Sequence, residues 1–392
     1  VSVETNVVLY DAETAAALDY APDGILQHLK TGSYTFETGA TLPEIVLGYE
    51  TWGTLNADAS NAVLIAHALT GDSHVARGAS TEPGWWDGFV GPGKTVDTDK
   101  YFVVAANMVG GCSGSTGPAS LDPDGVPWGS RFPFTTIKDS VRLEARLADE
   151  LGIAAWHTVL GGSMGGARAL EWAVEFPERV RNCVVVAASA ESSAEQIAFA
   201  QAQTAAIKLD PEFAGGDYYA NELIPSAGLG IARRIAHITY RTATELDVRF
   251  GRMPQGDELP VSSPGLDRGR YQVESYLDHQ ASKLVGRFDA NSYLVLTEAL
   301  MSHDIARGHE SIEAALARLA EVNVLVAAVD SDRLYWPEQS ERLAALLPNP
   351  CKVQYITSPI GHDGFLTDIE QLGDALGERV FVREPDIQAD AG

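Results

Sequence analysis

Short, almost wholly apolar runs alternate with stretches of helical periodicity through the first half of the chain. Ile45–Tyr49, Ala62–His67, Tyr101–Asn107, Trp156–Leu160 and Asn182–Ala188 predict strands. Runs of that length with few polar interruptions suit strands covered by helices on both faces. Between them, Ile137, Val141, Leu143, Leu147 and Leu151 recur at broadly helical spacing, and Gly152 supplies a stop. Ala167–Phe176 predicts a second helix, ended by Pro177. Alternation of this kind predicts an α/β fold with a mostly parallel sheet.

The pattern changes after about residue 190. Ser193–Ile207, Leu229–Thr244, Gln272–Phe288 and Asn291–Leu300 predict helices with no convincing strand among them. Strand signals return at Val322–Val329 and Lys352–Ile356, followed by a helix near Asp368–Phe381. No Ser/Gly/Pro-rich linker or charge run flanks the helical block, so it reads as an insertion over the sheet. The expected organisation is a first core part over 1–190, a helical insertion over 191–310 and a second core part over 311–392. The acidic tail after Arg383 is expected to fray.

Composition narrows the function classes. Of 392 residues, 45% are hydrophobic and 21% charged, which suits a chain with a large core. Asp plus Glu number 54 against 28 Lys plus Arg, a formal charge of −26. Such a surface repels phosphate backbones and anionic lipid, so no nucleic-acid or membrane partner is expected. An anionic small molecule needs a local basic pocket set against that field. Cys112, Cys183 and Cys351 are scattered and form no metal or disulfide pattern, so no metal is expected. The first basic residue is Lys30, after five acidic ones, and the best apolar run, Cys183–Ala190, is far too short to span a bilayer. A cytoplasmic protein is expected.

The sharpest local signal is Gly161-Gly162-Ser163-Met164-Gly165-Gly166-Ala167, between a predicted strand and a predicted helix. Gly-x-Ser-x-Gly in that context predicts a turn tight enough to strain the serine and lift its hydroxyl above the sheet. The N–H of Met164 then points where an oxyanion forms, aided by the helix dipole. A serine so placed needs a base and an orienting acid, and here they follow in the order serine, acid, histidine. Val322–Val329 runs into Asp330-Ser331-Asp332, and Lys352–Ile356 runs towards His362. His303 and His309 read as surface or packing residues. Spacing alone does not separate Asp330 from Asp332.

Several segments carry a family resemblance. They are His67-Ala68-Leu69-Thr70-Gly71-Asp72-Ser73-His74, Gly91-Pro92-Gly93-Lys94, Gly110-Gly111-Cys112-Ser113-Gly114-Ser115-Thr116-Gly117-Pro118 and Gly161–Ala167. Ala232-Arg233-Arg234-Ile235, Thr239-Tyr240-Arg241, Ser331-Asp332-Arg333-Leu334-Tyr335 and Gly361-His362-Asp363-Gly364-Phe365-Leu366 continue the series. In order and spacing, over about residues 45–375, they resemble the homoserine O-acetyltransferase family. Trp128-Gly129-Ser130-Arg131-Phe132-Pro133 looks most like its actinobacterial branch.

The resemblance implies an α/β-hydrolase fold with an inserted helical lid, usually a homodimer. It implies acetyl transfer from acetyl-CoA, a co-substrate and not a bound cofactor, to the hydroxyl of L-homoserine on the way to methionine. It makes Ser163 the nucleophile, Asp332 the orienting acid, His362 the base, and the N–H groups of Leu69 and Met164 the oxyanion hole. Arg233 and Asp363 match the family's amino-acid-binding positions, with Tyr240 assisting. The Cys112–Pro118 loop is expected to shape the acyl-CoA tunnel rather than cradle a phosphate; from the residues themselves, Trp85-Trp86 is expected to pack in core or lid, with an aromatic platform for adenine as the alternative. Lys94, Arg77 and Arg131 are candidate phosphate contacts. A serine esterase using water has the same three catalytic residues, and close relatives take serine as acceptor or succinyl-CoA as donor; the motifs leave these readings open.

Overall fold

In the computed structural model, residues 23–262 and 268–381 are described; the tail expected beyond Arg383 lies outside them. Eight strands form one sheet: β1 Gln27–Lys30, β2 Val46–Trp52, β3 Ala62–Ala66, β4 Phe102–Ala106, β5 Trp156–Gly162, β6 Val180–Val186, β7 Asn323–Val329 and β8 Gln354–Ile356. Their order across the sheet is β1-β2-β4-β3-β5-β6-β7-β8. Only β2 runs against its neighbours β1 and β4, and every other pairing is parallel. This is the α/β-hydrolase arrangement with its mostly parallel sheet.

Alternation along each central strand splits the core into two layers. Leu64, Val104, Val159, Val185 and Val326 face one side, with Val141 and Leu143 of α1 (Ile137–Glu150) and Leu170 and Trp172 of α2 (Met164–Glu175). Val63, Ile65, Leu160, Val184, Ala327 and Val329 face the other, where Trp86 and Phe365 pack. Burial on both faces explains why these strands read as continuous apolar runs. Trp85 stacks on Trp86 and donates from its indole N–H to the Asp72 carbonyl (3.1 Å), so the pair serves packing. Between β6 and β7 the chain forms α3 (Ala194–Lys208), α4 (Ser226–Tyr240), α5 (Ala243–Arg249), α6 (Gln272–Val285) and α7 (Ala290–Met301). No helix among the described residues is long and apolar enough to cross a membrane.

One predicted helix, Leu229–Thr244, is two. Helix α4 stops at Tyr240 because Arg241 turns extended, and Thr242 caps α5 by accepting the Glu245 N–H at 3.0 Å. The Thr242 N–H donates to the Ile360 carbonyl (3.0 Å), which ties this break to the loop that carries His362. His303 is buried, as a packing residue should be.

A charge network fixes the strand ends beneath the site. Arg168 of α2, fully buried, pairs with Glu144 of α1 and donates to the carbonyls of Ala106 (3.2 Å) and His67 (3.4 Å). The other Glu144 oxygen accepts the Trp172 indole N–H at 2.7 Å. Two helices and the ends of β3 and β4 thereby share one buried ion pair, whose partners satisfy each other's desolvated charge.

The turn after β5 is closer still. A Cβ on Gly161 would stand 2.4 Å from the Gly165 carbonyl carbon, and one on Gly165 only 2.0 Å from the Ala66 oxygen. Gly165→Ala is therefore expected to lower stability by at least about 2 kcal/mol, since a backbone oxygen cannot step aside as a side chain does. In urea unfolding the midpoint should fall with little change in slope; a midpoint equal to wild type would contradict that packing.

Candidate active site

Four loops at the carboxyl ends of strands meet above the sheet. Ser163, between β5 and α2, has φ 57° and ψ −125°, the strained geometry expected of the serine turn. Its N–H donates to the Val186 carbonyl at 2.9 Å, which fastens the bend to β6. The first turn of α2 lies against the Ala66 and His67 carbonyls, so the loop after β3 passes beside Ser163. That loop brings Leu69 into the same apolar cluster as Met164. The first N–H groups of a helix have no intrahelical acceptor, and α2 begins with Met164.

His67, just before Leu69, holds this loop rather than titrating. Its Nε2 accepts the Met108 N–H at 3.0 Å, which leaves the proton on Nδ1, 2.8 Å from the Ala68 carbonyl. Burial, and then the charge of Arg168, push its pKa down to about 3, so it stays neutral.

The loop after β7 separates the two aspartates. Asp332 Oδ2 lies 2.6 Å from His362 Nδ1, while Oδ1 accepts the N–H groups of Leu334 (2.8 Å) and Tyr335 (2.9 Å). Asp330 is exposed and accepts the Ser358 N–H at 3.1 Å instead. His362 is buried, with Tyr335 stacked on its ring at 5.3 Å and Tyr240 and Phe365 against it at 5.7 and 5.5 Å. The Phe365 ring also closes on Gly162, where a Cβ would stand 2.3 Å away, so it bridges the serine turn and the histidine. His362 Nε2 is buried without a hydrogen-bond partner among the described residues, the nitrogen a base needs free.

Burial works against protonation of His362, but the charge and hydrogen bond of Asp332, joined by the charge of Asp363, outweigh it and raise the pKa above 6.5. Asp363 is itself raised, first by burial, against the opposing pull of Arg241, His362 and Arg233.

Beside the histidine stands a set of opposite charges. Arg233 of α4 lies over the Tyr240 ring at 5.9 Å and donates from Nη1 to the Thr70 hydroxyl at 3.3 Å; its Nε–H is buried and unpaired among the described residues. Asp363 Oδ2 takes Arg241 Nη2 at 3.2 Å. Arg233, Tyr240, Asp363 and His362 thus form one cluster. The sequence reading missed Arg241 as the ion partner of Asp363, since its role depends on the break after α4. Arg131 and Arg77, named as phosphate candidates, pair with Asp122 (2.7 Å) and Asp87 (3.6 Å). In the glycine loop after β4, Ser115 accepts the Gly48 N–H at 2.9 Å and Thr116 the Val46 N–H at 2.8 Å, so this segment extends the edge of β2. Among the described residues no three His, Cys, Asp or Glu side chains converge as a metal site.

The arrangement brings a serine on a strained turn, a histidine paired with a buried aspartate and the start of a helix to the same end of the sheet, the parts from which acyl transfer through a serine is built. Comparison with known proteins follows the same lines. A profile of the alpha/beta hydrolase fold matches residues 61–369. The chain is 56% identical over 346 residues to a homoserine O-acetyltransferase of Thermobifida fusca, covering 87% of this chain and 90% of that protein. The crystal structure of a homoserine O-acetyltransferase from Bacillus anthracis superposes with a TM-score of 0.83 at 30% identity, covering 92% and 98% of the two chains. Esterase E22 also superposes at 0.83, with 27% identity over 91% and 99%.

The raised pKa of His362 has two consequences of opposite sign. Its contribution to stability is complete below about pH 6.5 and is lost as pH rises through the folded-state value. Its use as a base requires the neutral ring, so acylation should fall on the acid side of a pKa above 6.5. In Asp332→Asn, burial acts on His362 without its anion: the acid limb should move to lower pH while the rate drops by about 10⁴. Rapid-quench measurement of thiol release across pH checks this, and an acid limb that stays put would remove Asp332 from its role.

Proposed function

This chain belongs to the homoserine O-acetyltransferase family within the alpha/beta hydrolase fold, and on that premise we propose that it transfers acetyl from acetyl-CoA to the side-chain hydroxyl of L-homoserine, a step towards methionine. Ser163 Oγ attacks the thioester carbonyl while His362 Nε2 takes its proton. Negative charge gathers on the former carbonyl oxygen, towards the N–H groups of Leu69 and Met164. Collapse expels CoA, which leaves with the proton returned by His362, and acetyl remains on Ser163. The homoserine hydroxyl then gives its proton to His362 and attacks the acetyl-serine; O-acetylhomoserine departs and Ser163 regains its proton. Asp332 stabilises the imidazolium in both halves of this ping-pong cycle.

The acceptor reading rests on the opposite charges next to His362. A zwitterionic amino acid presents a carboxylate and an ammonium, for which the Arg233 fork and the Asp363 carboxylate are fitting partners. Water at ~55 M competes for any acyl-enzyme, so transfer requires a covered site that positions the alcohol. The helices between β6 and β7, within 191–310, serve as that cover. The likeness to esterase E22 favours a second reading, in which water takes the acyl group.

Supplied with acetyl-CoA, the protein should release thiol continuously only when L-homoserine is present; thiol release independent of homoserine would select hydrolysis. Quenched after acetyl-CoA alone, Ser163 should carry an adduct of about 42 Da, acetyl in place of a proton. Ser163→Ala should lack it and lose turnover by about 10⁴ or more while remaining folded. An adduct on a different side chain would overturn the assignment of the nucleophile.

A further inference from the structure

Thr70, the residue after Leu69, receives two guanidinium groups. Arg233 reaches its hydroxyl from α4. Arg287, in the short connection between α6 and α7, donates from Nη1 to its carbonyl at 3.0 Å. That connection is held in place. The N–H groups of Arg287 and Phe288 both donate to the Leu284 carbonyl (3.0 and 2.9 Å), and the Asp289 carboxylate takes the hydroxyls of Tyr218 and Tyr219 (2.5 and 3.0 Å). Arg287 is therefore presented from a pinned backbone, not from a free loop.

Neither arginine has a carboxylate oxygen within 4.0 Å among the described residues. This is unusual on a chain of net charge −26, where most of the other arginines among the described residues are paired. Arg287 reaches solvent, and the charges that act on it are those of Asp72, which attracts it, and Arg233, which repels it. Two like charges are thus brought together, one with a buried and unpaired Nε–H. Such a pair calls for an anion between them.

We infer that Arg287 is a second carboxylate-binding residue for the acceptor, closing with Arg233 on the α-carboxylate of the amino acid from the side of the Leu69–Thr70 loop. This rests on the transferase reading above and deepens it. The position decides between anions. Thr70 adjoins the residue assigned to the oxyanion hole, so its neighbours lie within reach of a short acceptor whose hydroxyl meets the acyl carbon. The CoA diphosphate is held away from the thioester by the whole pantetheine arm.

Arg287→Met and Arg287→Lys, compared with wild type, test the assignment with L-homoserine and with L-homoserine amide, which lacks the carboxylate charge. Arg287→Met should raise KM for homoserine about ten- to hundredfold, the scale of a charge-assisted hydrogen bond, with Arg287→Lys in between. KM for the amide should be the same in variant and wild type, and so should the burst of thiol released by acetyl-CoA alone. An unchanged KM for homoserine, an equal loss with the amide, or a matching loss of the burst would each overturn the carboxylate role. A wild-type enzyme that gives the burst but transfers to neither acceptor would overturn the acceptor reading itself, a result distinguishable from failure of Arg287 alone.

Discussion

A single backbone constraint organises the catalytic end of this molecule: Ser163 must occupy φ 57° between a strand and a helix that nearly touch. Positive φ in a residue with a side chain is costly, on the order of 1–3 kcal/mol, and persists only where the surroundings over-determine it. They do so here through three contacts. Gly161 and Gly165 let β5 and α2 approach, Gly165 rests on the Ala66 carbonyl, and the Ser163 N–H is tied to β6. The same closeness that strains the serine lays the β3 loop beside the start of α2, so Ser163, Met164 and Leu69 are positioned together by one packing event.

Electrostatics then separates structural from reactive groups. His67 and His362 are both buried, yet they shift in opposite directions. Burial, and then the charge of Arg168, keeps His67 neutral; burial works the same way on His362, but the charge and hydrogen bond of Asp332 outweigh it and raise its affinity for a proton. The first braces the loop after β3, and the second keeps its Nε2 unpaired among the described residues. Arg233 and Arg287 meet on Thr70 while Arg241 pairs with Asp363, so three arginines stand close to the histidine loop on a chain of net charge −26.

Much of the fold was legible because burial on both sheet faces leaves a direct trace. The strands β3 to β7 appear as apolar runs, and the expected order of serine, acid and histidine follows from them. Other elements leave a weaker trace. Strand β1 (Gln27–Lys30) is an edge strand with mixed residues, and the helix Pro337–Leu346 is short and half exposed. The start of α2 reads as Ala167 from the sequence but lies at Met164, because two glycines with poor helix propensity occupy its first turn. They are there for close approach, a tertiary reason that overrides the local one.

The residues by themselves determined the sheet's alternation and the serine turn and, through the family motifs, pointed to Ser163, Asp332 and His362. Hydrophobic period and glycine spacing are local properties that survive in a linear string. Spacing alone left Asp330 and Asp332 open and the family motif favoured Asp332; the tertiary structure places Asp332 against His362 because the chain turns differently after each of them. It also decided that Arg241 pairs with Asp363 and that Arg233 and Arg287 meet on Thr70. Those contacts join positions separated by 122, 163 and 217 residues. Spacing along the chain carries no information about a charge that arrives from another helix; only the folded arrangement brings the partners within hydrogen-bond range.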